Sequence, residues 1–157
     1  MKEKITIELP LSAFKLKCYD NEYLCLTIDE VFGFPNVIAY GGGYGARGNL
    51  DIQVGPYNVH AVHCFTTGEL YTFYCQLQKC YDSLSGVAIL TNTEQELELK
   101  LMFNKSGKIR VIGEFQARPD VSNRLCFEMF TDQTFICEVL ADLRKVHQTF
   151  GSTKGIA

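Results

Sequence analysis

The chain has 157 residues, 46% of them hydrophobic and 12% aromatic, and a formal net charge of −3. That length and apolar content suit a single domain, residues 1–157, which buries about 68–70% of its unfolded surface. Basic residues scatter from Lys2 to Lys154 without forming a run, which argues against nucleic acid and against membrane as partners.

The opening MKEKITIELPLSAF is interrupted by Glu8 and Pro10, and no small-residue cleavage site follows, so it does not read as a signal peptide. No window approaches the roughly 20 apolar residues of a membrane span. Seven cysteines occur without a CxxC, several on inferred apolar faces, and the simplest reading is a reduced, cytoplasmic protein.

In chain order, Ile5, Ile7 and Leu9 alternate, as do Phe14, Leu16 and Cys18, and two short strands are expected. Leu24, Leu26 and Ile28 share a parity in a third strand from Glu22 to Phe32, ended by Gly33-Phe34-Pro35-Asn36. A brief strand over 36–40 precedes GGGYGARG, read as a mobile surface loop. Strands over 50–54 and 57–65 then flank a Gly55-Pro56 turn. Thr66-x-x-Glu69 is a capping box, and Phe65 with Leu70 supplies a hydrophobic staple. The helix it opens, near 67–84, carries the stripe Leu70, Phe73, Tyr74, Leu77, Tyr81 and Leu84, and Gly86 stops it.

The second half opens with a strand over 87–91, followed by a hairpin. Leu97, Leu99, Leu101 and Phe103 face Ile109, Val111 and Phe115, and both apolar sets are odd-numbered. They share a face only across an odd loop, which Lys105-Ser106-Gly107 provides. Phe103 then sits opposite Ile109, and Leu101 opposite Val111. Arg118-Pro119-Asp120 turns the chain into a strand with Leu125, Phe127 and Met129 on its dry face. The period then becomes helical: Phe135, Ile136, Val139, Leu140, Leu143, Val146 and Phe150 form one stripe near 132–150, capped by Asp132 or Thr134 and stopped by Gly151.

The architecture expected is α+β, a mostly antiparallel β-sheet with the two amphipathic helices packed on one face. Phe65-Thr66-Thr67 recurs as Phe130-Thr131-Asp132 at the second strand-to-helix junction. A pseudo-repeat of 1–84 and 85–150, or a chance match, accounts for it.

The chemistry is mostly exclusion. Gly43 to Gly48 satisfies GxGxxG, but a strand follows it where dinucleotide binding needs a helix N-terminus, and no Walker lysine is present. No cofactor is implied. His60 and His63, three apart on a strand, project to opposite faces and cannot chelate together, and His147 is alone on its helix, so no metal is expected. Seven cysteines and three histidines offer many accidental pairings, which makes a Cys/His nucleophile weak as evidence. No convincing catalytic constellation emerges.

Two surfaces stand out. Glu96, Glu98 and Glu114 project from the side opposite the core, Glu128 joins them, and Lys100, Arg110 and Arg124 only partly balance them. Such a face suits a basic partner or is a plain solvated sheet surface. The tyrosines, Tyr40 and Tyr44 among them, gather toward the N-terminal half, where interface and strand roles are equally open.

NVIAYGGGYGARGNLDIQV, then GELYTFYCQLQKCYDSLSGVAIL, a leucine-alternating strand, GKIRVIGEF and LCFEMFTDQT before a terminal helix together resemble small bacterial immunity proteins of the WapI type. The resemblance implies a cytoplasmic antidote that binds a cognate toxin domain and catalyses nothing itself. Glu96, Glu98, Glu114, Glu128, Tyr40 and Tyr44 are the candidate contacts, and a basic toxin is the candidate partner. A ligand-binding domain with a pocket between sheet and helices, lined by Tyr74, Phe115 and Phe127, and an enzyme using Cys or His are the alternatives. Open sheet edges also leave room for a homodimer.

Overall fold

The structure is a computed structural model and describes residues 7–156. It is α+β, with nine strands in two antiparallel sheets and two helices. The first sheet contains β1 (Leu11–Lys17), β2 (Tyr23–Ile28), β3 (Glu30–Phe32), β4 (Gly45–Val54) and β5 (Tyr57–Thr66). Strand β5 pairs along the whole of β4, β2 and β3 follow one another along the other edge, and β1 lies outside β2. Helix α1 (Thr67–Ser83) leads to the second sheet, a meander of β6 (Gly86–Thr91), β7 (Leu97–Phe103), β8 (Lys108–Phe115) and β9 (Leu125–Asp132). Helix α2 (Gln133–Phe150) follows.

Division into two sheets is the main difference from the single sheet expected. Each sheet presents one apolar face, and these faces join the stripes of both helices in one core cluster. The halves exchange helices: α1 packs along β6, the first strand of the second sheet, and α2 packs along β1, the first strand of the first. Counted from each N-cap, Leu70, Phe73, Leu77 and Cys80 match Ile136, Val139, Leu143 and Val146, all buried. The matching junctions are therefore Thr66 and Asp132, one residue out of step with the sequence match. Gln76 of α1 accepts the Ile89 N–H of β6 at 2.8 Å, and Asp142, at the same helical position in α2, accepts the Ser12 hydroxyl of β1 at 3.2 Å.

Several local expectations change. Ile5 lies outside the described residues, and residues 7–10 are not strand. Residues 36–40 form turn and loop, and the strand expected over 22–32 breaks at Asp29. The glycine motif is half strand: Gly45, Ala46, Arg47 and Gly48 begin β4. Gly48 is required because a Cβ there would fall on the Thr27 carbonyl, where β2 bends away toward β3. The hairpin is as the parity predicts, with Leu101 opposite Val111, Phe103 opposite Ile109, and Gly107 at φ 84°.

A candidate partner-binding face

The solvent side of the second sheet is a grid that alternation and register fix together. Its first row, read across the strands, is Val87, Met102, Arg110 and Phe130. The second is Ile89, Lys100, Ile112 and Glu128, and the third is Thr91, Glu98, Glu114 and Cys126. One end is apolar, with Val87, Ile89 and Met102 exposed and Phe130 50% exposed. The other end is acidic, and beyond it lies Glu96 on the connection between β6 and β7.

The acids are mostly neutralised from within. Glu98 pairs with Lys100 at 3.1 Å, Glu114 with Arg124 at 2.8 Å, and Glu128 accepts both the Nε and a terminal nitrogen of Arg110 at 3.1 Å. Arg110 and Glu128 sit diagonally on neighbouring strands, a fork geometry that fixes both side chains. Glu96 differs. Among the described residues it has no lysine or arginine partner, and its nearest cationisable neighbour is His63, with Nδ1 3.4 Å from Glu96 Oε2. His63 is 1% exposed and lies against Phe65 and Phe115, with ring centroids 5.8 and 6.1 Å away. Its Nδ1 has no hydrogen-bond partner. The short separation from Glu96 is therefore proximity without a bond. Burial pushes the imidazole down to about 4, so the ring is neutral, and burial followed by Glu94 raises Glu96 above the usual carboxylate range.

Glu96 lines a cleft of about 500 Å³ with Thr93, Gln95, Glu98, Glu114 and Arg124. Asn92 builds that wall. Its Oδ1 accepts the backbone N–H groups of Glu96 and Leu97 at 2.9 and 3.2 Å, and its amide donates to the Cys64 carbonyl at 3.1 Å. The sequence reading passed over Asn92, although an asparagine at a strand end before a polar turn is the usual sign of such a brace. Thr93 donates to Glu69 at 3.3 Å, tying the wall to the capping box of α1.

The tyrosine expectations separate. Tyr40 is 97% exposed, beside exposed Val37 and Ile38, on the segment between β3 and β4 that has no counterpart in the second half. Gly41 lies against the Thr93 side chain, so this segment adjoins the Glu96 cleft. Tyr44 is corrected: at 0% exposure it cannot touch a partner. Its hydroxyl donates to the Pro35 carbonyl at 3.0 Å and accepts the Ile156 N–H at 3.1 Å, and its ring packs at 5.0 Å from Phe34. It anchors the segment that displays Tyr40.

The alternative sites do not assemble. Phe115 borders a cleft with Tyr57 and Leu125, Phe127 another with Glu98 and Glu128, while Tyr74 lies between the helices near His147 and Arg144. The space between sheets and helices holds the apolar core. His60 pairs with Asp51, and His147 packs on Tyr71 and bonds the Gly151 carbonyl. All seven cysteines are free thiols. Among the described residues, no group of three or more His, Cys, Asp or Glu could hold a metal, and no helix is long and apolar enough to cross a membrane.

The model of the immunity protein WapI-like family matches residues 15–151. No curated protein and no solved structure matches the chain.

Proposed function

The chain belongs to the immunity protein WapI-like family, and from that premise we propose that it neutralises a cognate bacterial toxin in the cytoplasm by binding it, without catalysis. The observation that carries the reading is the outer face of the second sheet, which no element of the described fold covers. Val87, Ile89, Met102 and Phe130 offer an apolar end with Ile112 next to it, Glu96, Glu98 and Glu114 lie at or beside the charged end, and Glu128 lies in the row between. Protein interfaces commonly combine an apolar core with a polar rim. The paired acids constrain a partner to one register, because misaligned charges repel, and Glu96, the acid without a lysine or arginine of its own among the described residues, suits a basic one. Tyr40 extends the surface beyond the cleft.

A homodimer through sheet edges is the weaker proposal. Among the described residues two of the five outer strands, β1 and β6, have helices packed along them, which leaves β3, β5 and β9.

The test is co-expression with a candidate toxic domain captured by the tagged chain from lysate of its source organism. Wild type restores growth and co-purifies with the domain as a one-to-one complex. Phe130→Lys, on the apolar end, loses rescue while its circular dichroism stays native. Rescue undiminished by Phe130→Lys would remove this face from the account.

A further inference from the structure

We propose that the cleft at Glu96 is a socket for an arginine side chain of the partner. This deepens the interface reading above and rests on it only for the arginine's source.

Three of the four glutamates on or beside the face already hold a cation of their own, so they contribute little net attraction. Glu96 does not. Its side chain is only 24% exposed, and no protein donor among the described residues bonds either carboxylate oxygen. A partly buried carboxylate without donors is an unfavourable arrangement in the free protein, and a cation in the cleft relieves it. Behind it, the buried His63 Nδ1 lies 3.4 Å from the same carboxylate and is unpartnered, a second group whose bonding is incomplete. A carboxylate has about four acceptor sites, and with His63 beside it but not bonded to it they stay open to a ligand.

The shape favours guanidinium over ammonium. The cleft is lined by Glu96, Glu98 and Glu114 as carboxylates and by Thr93, Gln95 and Gln116 as neutral groups, and its own cation, Arg124, is already held by Glu114; several separate acceptors suit a planar fork with five donors better than a compact ammonium. The wall is set before binding, because Asn92 fixes the Glu96 backbone and Thr93 is tied to Glu69. Arginine is also among the residue types that dominate interface energetics.

The probe is N-acetyl-arginine methylamide, titrated into the full chain and followed by amide chemical shifts. N-acetyl-citrulline methylamide serves as the uncharged isostere and N-acetyl-lysine methylamide as the ammonium arm. Saturable shifts at Thr93, Gln95 and Glu96 are expected with the arginine probe and not with citrulline. They weaken at least about tenfold in Glu96→Gln, an isosteric change, and less in Glu98→Gln, whose charge is already paired. No saturable shift, equal shifts with citrulline or lysine, or an unaltered Glu96→Gln would overturn the socket. If the wild type fails to neutralise the toxin while the arginine probe binds, the immunity reading falls and the socket stands.

Discussion

His63 and Glu96 show how one residue pair carries both a stability cost and a chemical opportunity. The folded chain keeps His63 neutral, with a pKa of about 4 against an ordinary 6.5. The unfolded chain therefore takes up a proton near 6.5 and the folded chain only near 4. Stability from this group is complete above pH 6.5 and lost as pH falls from 6.5 toward 4. Glu96, raised by burial, works in the opposite sense, since its penalty is relieved as it protonates. The His63→Phe variant removes only the first contribution while keeping an aromatic ring against Phe65. Its melting temperature should fall less than that of wild type between pH 6.5 and pH 4. Parallel declines in the two proteins would count against a buried neutral imidazole. The sequence argued against a metal role for His63 but could not name its partners, because its neighbours Phe115 and Glu96 come from the other half of the chain.

At the level of elements, local signals were the legible ones. The capping box at Thr66 forms as its spacing predicts: Thr66 N–H donates to Glu69 at 2.7 Å, and Glu69 N–H donates to Thr66 Oγ1 at 3.1 Å. Thr66→Ala should cost about 1 kcal/mol in urea unfolding. Glu69 also holds Thr93, so the same change should loosen the cleft wall, seen as faster amide exchange at Thr93 and Gln95. Exchange that is faster only within α1 would detach the cap from the cleft. The β7–β8 register was legible because two odd-numbered apolar sets share a face only across an odd loop. By contrast, the pairing of Arg110 with Glu128 depends on β8 and β9 being neighbours, and strand order is not written in alternation. The burial of Tyr44 likewise depends on Pro35 and Ile156, the latter from the far end of the chain.

At the scale of the whole molecule, the exchanged helices explain why the outer faces of both sheets are left over, the first carrying exposed Asn49, His60 and Val62. Each helix covers the inner side of the fold and the edge of the opposite half, so the apolar stripes are consumed internally and the outer grid of the second sheet stays open. The first half differs by its insertion between β2 and β4, which places Tyr40 beside the cleft and extends the open surface. Composition announced none of this. A period-2 pattern marks a dry face and a wet one, and only the arrangement of two sheets shows which wet face is broad, mixed in character and unobstructed. The most direct measurement is calorimetric titration of the captured toxic domain into wild type and into Met102→Lys, in the first row of that face. Binding to wild type should be one to one, and the substitution should weaken it at least about thirtyfold, the ~2 kcal/mol of an interface hot spot. Equal affinity for the two proteins would contradict docking on that face.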